Sequence, residues 1–60
     1  MDITNKKDFE QSYWSYADSM TGSDLTDDEL FKEIKKEIPE LEEYQIHWLV
    51  ELIRWMEERG

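Results

Sequence analysis

Cysteine is absent from this sequence, and glycine and proline are nearly so, with two and one in 60 residues. The first absence excludes disulfide staples and weakens the case for a structural metal. A chain this short buries only about 60% of the surface its unfolded form exposes, so it has to rely on close helix packing or on a partner. A deep reaction cavity is not expected. No apolar run approaches the roughly 18 residues that a membrane span needs, and the polar stretch Met1 to Lys7 has no apolar core of the kind that marks a secretory leader. Together these absences point to a cytoplasmic protein of one domain spanning residues 1–60.

Positive charge is also scarce. Seven basic residues stand against sixteen acidic ones, a formal net charge of −9. Such a body repels phosphate backbones, which argues against direct nucleic-acid binding. It attracts basic protein surfaces, with fast and salt-sensitive encounter. Solubility alone is the plainer explanation of the same charge.

What is present reads as helix. Phe9, Tyr13, Tyr16, Ala17 and Met20 recur at three- and four-residue intervals, which predicts one helix from about Asn5 to Met20. Asn5 followed by Asp8 suits its start, although Lys6 and Lys7 oppose the helix dipole. Thr21-Gly22-Ser23 makes a turn. Thr26 and Glu29 then have the spacing of a capping box, with Leu25 and Leu30 placed as a hydrophobic staple. Acidic Asp27 and Asp28 in the first turn and Lys35 and Lys36 in the last complement the dipole, so a second helix is expected from Asp27 to Glu37. Leu30, Phe31, Ile34 and Ile38 would face inward. Pro39 ends that helix and suits the first turn of a third, from Glu40 to Arg59, about 30 Å long. The expected fold is all-α, a compact three-helix domain with a long C-terminal helix.

On a helical wheel, Leu41, Tyr44, Trp48, Leu52 and Trp55 form one stripe of this third helix, with Leu49 and Met56 beside it, and this is the expected core. Ile46, Val50 and Ile53 widen the apolar arc beyond what two short helices should cover. Glu43, His47, Glu51, Arg54 and Glu58 are left as a narrow polar strip. A helix so apolar around its girth is either wrapped by its neighbours or used at an interface, and the short companions favour the interface. Trp14 lies off the stripe of the first helix, next to two tyrosines, a composition typical of binding hot spots.

Catalytic chemistry finds little support. His47 is the only histidine and falls on the polar strip between Glu43 and Glu51, whereas zinc needs several nitrogen or sulfur ligands. The run Asp24 to Glu29 has oxygen ligands at alternate positions, but a calcium loop needs glycine where Glu29 stands and glutamate where Lys35 stands. Ser12, Ser15, Ser19 and Ser23 have no histidine or lysine at a motif spacing. Paired carboxylates abound without a cavity to separate their pKa values, and glycine-rich phosphate loops are missing. No catalytic residue, metal or cofactor is therefore expected.

The acidic pattern remains. Glu29, Glu33, Glu37 and Glu40 form a stripe that Glu42 and Glu43 continue, with neighbours about 6 Å apart, close to the spacing of phosphates along a nucleic-acid strand. Lys32, Lys35 and Lys36 interrupt it. In size, acidity and lack of cysteine the chain resembles, as a class, the small inhibitors encoded by phages and mobile elements, some of which mimic nucleic acid. That resemblance implies an inhibitor seated on a basic, nucleic-acid-binding surface of a host protein. Asp27, Asp28, Glu29, Glu33, Glu37, Glu40, Glu42 and Glu43 would steer it, and Trp14, Ile46, Val50 and Ile53 would anchor it. The alternative is a structural or regulatory module that pairs with a second copy, or completes a larger helical assembly, through Ile46, Val50 and Ile53.

Overall fold

A computed structural model describes residues 5–59; residues 1–4, the start of the polar stretch considered above, lie outside them. Four helices follow one another: α1, Lys6–Ser12; α2, Trp14–Met20; α3, Asp27–Glu37; and α4, Glu43–Arg59. The described residues contain no strand. The all-α expectation holds, while the count of three helices does not.

The first expected helix is divided at Tyr13. Asn5 caps α1 as anticipated, its side chain accepting from the Lys7 N–H at 2.9 Å. At Tyr13 the backbone leaves the helical region (φ −109°, ψ 18°). The ladder is nevertheless kept, with Tyr13 N–H donating to Phe9 O and Ala17 N–H to Tyr13 O. Ser12, Tyr13, Trp14, Ser15 and Tyr16 are all middling helix formers, so a bend there is inexpensive. It lets Phe9 and Ala17, from the two halves, both reach the core.

The start of α3 also follows its residues. Thr26 Oγ1 accepts from the Glu29 N–H, and Glu29 Oε1 accepts in turn from the Thr26 N–H. Leu30 is fully buried and Leu25 packs against the same core. Pro39 does terminate α3, but it begins a turn instead of the next helix, which starts three residues later than expected. Glu42 precedes α4, and its N–H donates to Gln45 Oε1 at 2.9 Å, half of a second capping box. Between helices α2 and α3, Gly22 takes a positive φ of 81°, a region that costs an L-residue about 1–2 kcal/mol.

Helix α4 is the central element, packed by α1, α2 and α3. Here the expected orientation is corrected. Ile46, Leu49 and Ile53 are fully buried, and Val50 and Leu52 nearly so, together with Phe9, Ala17, Leu30 and Ile34. Tyr44 and Trp55, placed in the core by the wheel, are each 47% exposed. Relative to the expectation, α4 is turned about its axis so that its aliphatic side faces the other helices. Two causes can be named. Ile, Val and Leu carry no polar atom and lose nothing on leaving water, whereas Trp and Tyr keep a polar group that is satisfied at a rim. The bend at Tyr13 also supplies a third packing element, so the covering area is larger than two straight helices would offer. Ile46, Val50 and Ile53 are thus core residues of a single chain, and they offer little surface to a partner.

Truncating Ile53 to Ala should cost about 2–5 kcal/mol, a large part of what a chain this size possesses. Tyr44→Ala should cost far less. Chemical denaturation followed by circular dichroism checks the order, which the wheel-based orientation would reverse.

Candidate protein-binding groove

The bend at Tyr13 has a second effect, on Trp14. With Ala17 buried one turn later and Tyr13 tilted against Phe9 at 4.8 Å between ring centroids, the Trp14 indole is directed to the end of α4. There it meets Trp55 edge to face, with centroids 6.0 Å apart and planes at 68°. The two rings stay 46% and 47% exposed. The Arg59 guanidinium lies over Trp55, 4.9 Å from the ring centroid.

These rings stand on the edge of a groove of about 560 Å³. Lys6 and Glu10 of α1 line it, as does Asp27, the first residue of α3. Along α4 the lining includes Val50, Glu51, Arg54 and Glu58. The groove runs on past Asp27, Val50 and Glu51 into a smaller hollow with Asp28, Phe31 and His47. The His47 and Phe31 rings are 5.0 Å apart.

Both cations in the larger groove are engaged by carboxylates. Lys6 Nζ is 3.2 Å from Glu51, and both side chains are exposed, so the pair adds little to stability. Arg54 is held more firmly. Its Nε donates to Asp27 and one terminal nitrogen to Glu57, both at 2.9 Å, while the other donates to the Leu25 carbonyl at 2.7 Å. Glu57 also accepts from the Gly22 N–H at 3.0 Å. The hydrogen bonds donated by Arg54 and by the Gly22 N–H hold the Glu57 carboxyl below its ordinary value, and those that Arg54 donates to Glu57 and Asp27 raise its own. With Glu51 and Asp27 so occupied, Glu10 and Glu58 are left with no cation partner among the described residues. The charged lining residues without an ion-pair partner among the described residues are therefore acidic.

The chain matches no protein-family model, no curated protein and no solved structure. What the groove can do therefore rests on its own chemistry.

Of the expected contact residues, the fold gathers four: Trp14 on the edge, Asp27 and Asp28 on the α3 side, and Val50 at the floor, 7% exposed. Ile46 and Ile53 lie beneath, in the core. The remaining acids are dispersed. Glu29 is committed to its capping box, which lowers its carboxyl through the Thr26 N–H and hydroxyl. Glu33 and Glu37 flank the part of α3 beside Tyr16, whose phenol is raised by burial first and by those two carboxylates next. Glu40, Glu42 and Glu43 are exposed around the turn into α4. The back of α3, opposite Leu30 and Ile34 at 100° per residue, carries Lys32 and Lys36, so the glutamate stripe is on a flank and not on the outermost face.

Trp55, Glu10, Glu58 and Arg59 were not anticipated. The signal for them is periodic: Glu51 and Glu58 sit seven apart on the same side of α4 as Trp55, and Glu10 and Trp14 four apart. Among the described residues no cluster of three or more His, Asp or Glu is placed to hold a metal, and no helix is long and apolar enough to cross a membrane.

The Glu57 contacts have a definite pH signature. Because the folded-state pKa lies below the unfolded value of 4.5, their stabilisation is present above that pH and is lost as pH falls through the folded value. Glu57→Gln should therefore lower the Tm most above about pH 5, with the gap to wild type closing in acid. Thermal melts of both proteins at a series of pH values test this, and a constant gap would contradict it.

Proposed function

We propose that this chain is a small acidic binding protein, of the kind encoded by phages and mobile elements, that occupies a basic, nucleic-acid-binding surface of another protein and keeps nucleic acid from it. One observation carries the reading: two half-exposed tryptophans border a groove whose unpaired side chains are acidic. Exposed indoles at the margin of a charged groove supply the desolvated anchors on which protein interfaces depend, and the carboxylates supply long-range attraction to a cationic partner. The net charge of −9 acts in the same direction over the whole surface.

Within this reading the acids divide their work. Asp28, Glu10 and Glu58 contact the partner around the groove. Glu33, Glu37, Glu40, Glu42 and Glu43 contribute to the field that guides approach. Nucleic-acid mimicry then resides in charge density and not in a single ladder of carboxylates, because the glutamates of α3 share that helix with Lys32, Lys35 and Lys36.

The test is capture from host lysate at low salt, followed by titration of the recovered protein with this chain and with labelled nucleic acid. Affinity should fall at least roughly tenfold between 50 and 300 mM salt, and saturation with the chain should release the nucleic acid. Trp14→Ala or Trp55→Ala should weaken binding by about 2 kcal/mol without loss of helicity. A target that retains nucleic acid when saturated would overturn the proposal.

A further inference from the structure

We propose that the Trp14–Trp55 edge receives an arginine side chain of the partner, and that Arg59 occupies that place in the free protein. The inference deepens the function proposed above and rests on it. Arg59 is exposed and stands four residues after Trp55 on α4. The guanidinium lies 4.9 Å from the Trp55 centroid, yet it makes no ion pair with any carboxylate among the described residues. A planar, weakly hydrated guanidinium is suited to an indole face. Arg59 is held there by the ring alone, on an exposed surface, where such a contact is weak.

Two unpaired carboxylates share the groove with these rings. Glu58 is three residues along α4 from Trp55, and Glu10, four residues before Trp14, lines the same groove. An incoming arginine that stacks on Trp55 and also reaches Glu10 or Glu58 makes a charged hydrogen bond that Arg59 does not make. It can therefore displace Arg59 with a net gain. Lysine brings the same charge but no plane to lay on the indole and no bidentate fork for the carboxylate, so the edge should select arginine over lysine. Trp55 remains 47% exposed beneath Arg59, which leaves the ring accessible for the exchange.

The experiment compares hexa-arginine with hexa-lysine peptides by isothermal titration at low ionic strength, on wild type, Arg59→Gln and Trp55→Leu, with helicity of each checked by circular dichroism. The ratio of the two affinities is the quantity read, since the charge removed by Arg59→Gln acts on both peptides and cancels. Wild type should prefer hexa-arginine by roughly three- to fivefold. Arg59→Gln should increase that ratio by freeing Trp55, and Trp55→Leu should bring it to about one while salt-sensitive binding of both peptides persists. A wild-type ratio near one with both peptides bound, or a ratio unmoved by Arg59→Gln, would overturn the arginine assignment and leave the basic-partner reading standing. Failure of both peptides to bind wild type at low salt would overturn both.

Discussion

Burial of one aliphatic ridge on α4, formed by Ile46, Leu49, Val50 and Ile53, is the constraint on which the rest of this structure depends. Each such side chain contributes about 1.5–3 kcal/mol on leaving water, against roughly 0–1 kcal/mol for an exposed ion pair. In a molecule with no disulfide and 60 residues, that ridge decides how α4 is turned. Charged side chains are then left outside, and among the described residues no polar or charged residue is buried as a whole, the Tyr16 hydroxyl being the polar atom shut away from water. The aromatic side of α4 is left at the rim, where Trp48 is half-covered by Phe9, Tyr44 leans on Trp48, and Trp55 meets Trp14.

A second constraint ties the surface to this core. Arg54 and Glu57, near the end of α4, take hold of the segment from Gly22 to Asp27 through its backbone and its first helical carboxylate. Gly22 suits this clasp twice, since its positive φ presents the N–H to Glu57 and it has no side chain to strain that conformation. The clasp fixes the entry to α3 and, with it, the position of Asp27 on the groove wall. It also absorbs the cation most able to neutralise the groove. Fold and electrostatics are therefore linked: the contacts that close the loop occupy Arg54 and, with Lys6 taken by Glu51, Glu10 and Glu58 have no cation partner among the described residues. Among the described residues the Tyr16 hydroxyl is buried without a hydrogen-bond partner, a cost of this packing.

Much of the fold is legible in the residues, because the devices that specify helix ends are local. Asn5, the Thr26–Glu29 box and the stop at Pro39 all act over a few residues, and each is found as expected. The bend at Tyr13 is less visible, since poor helix formers permit a break without demanding one. The orientation of α4 is not local at all. Its apolar residues run most of the way around, so periodicity leaves open which arc is covered, and the outcome depends on the shape the other helices present. The same cause governs the site. Trp14 was recognisable by standing off its stripe, whereas Trp55 was hidden among residues of equal hydrophobicity and becomes a surface residue only once the aliphatic arc is known to be inside.

The groove, its tryptophan edge and the function proposed for them all follow from that one rotation of α4. The most direct test is a nuclear magnetic resonance measurement of side-chain accessibility, with a soluble paramagnetic gadolinium chelate added to the isolated protein. Strong attenuation is expected for the ring signals of Trp14, Tyr44 and Trp55, and little for the methyls of Ile46, Leu49 and Ile53. Attenuated Ile46 and Ile53 methyls beside a protected Trp55 would place the aliphatic ridge outside and contradict the account.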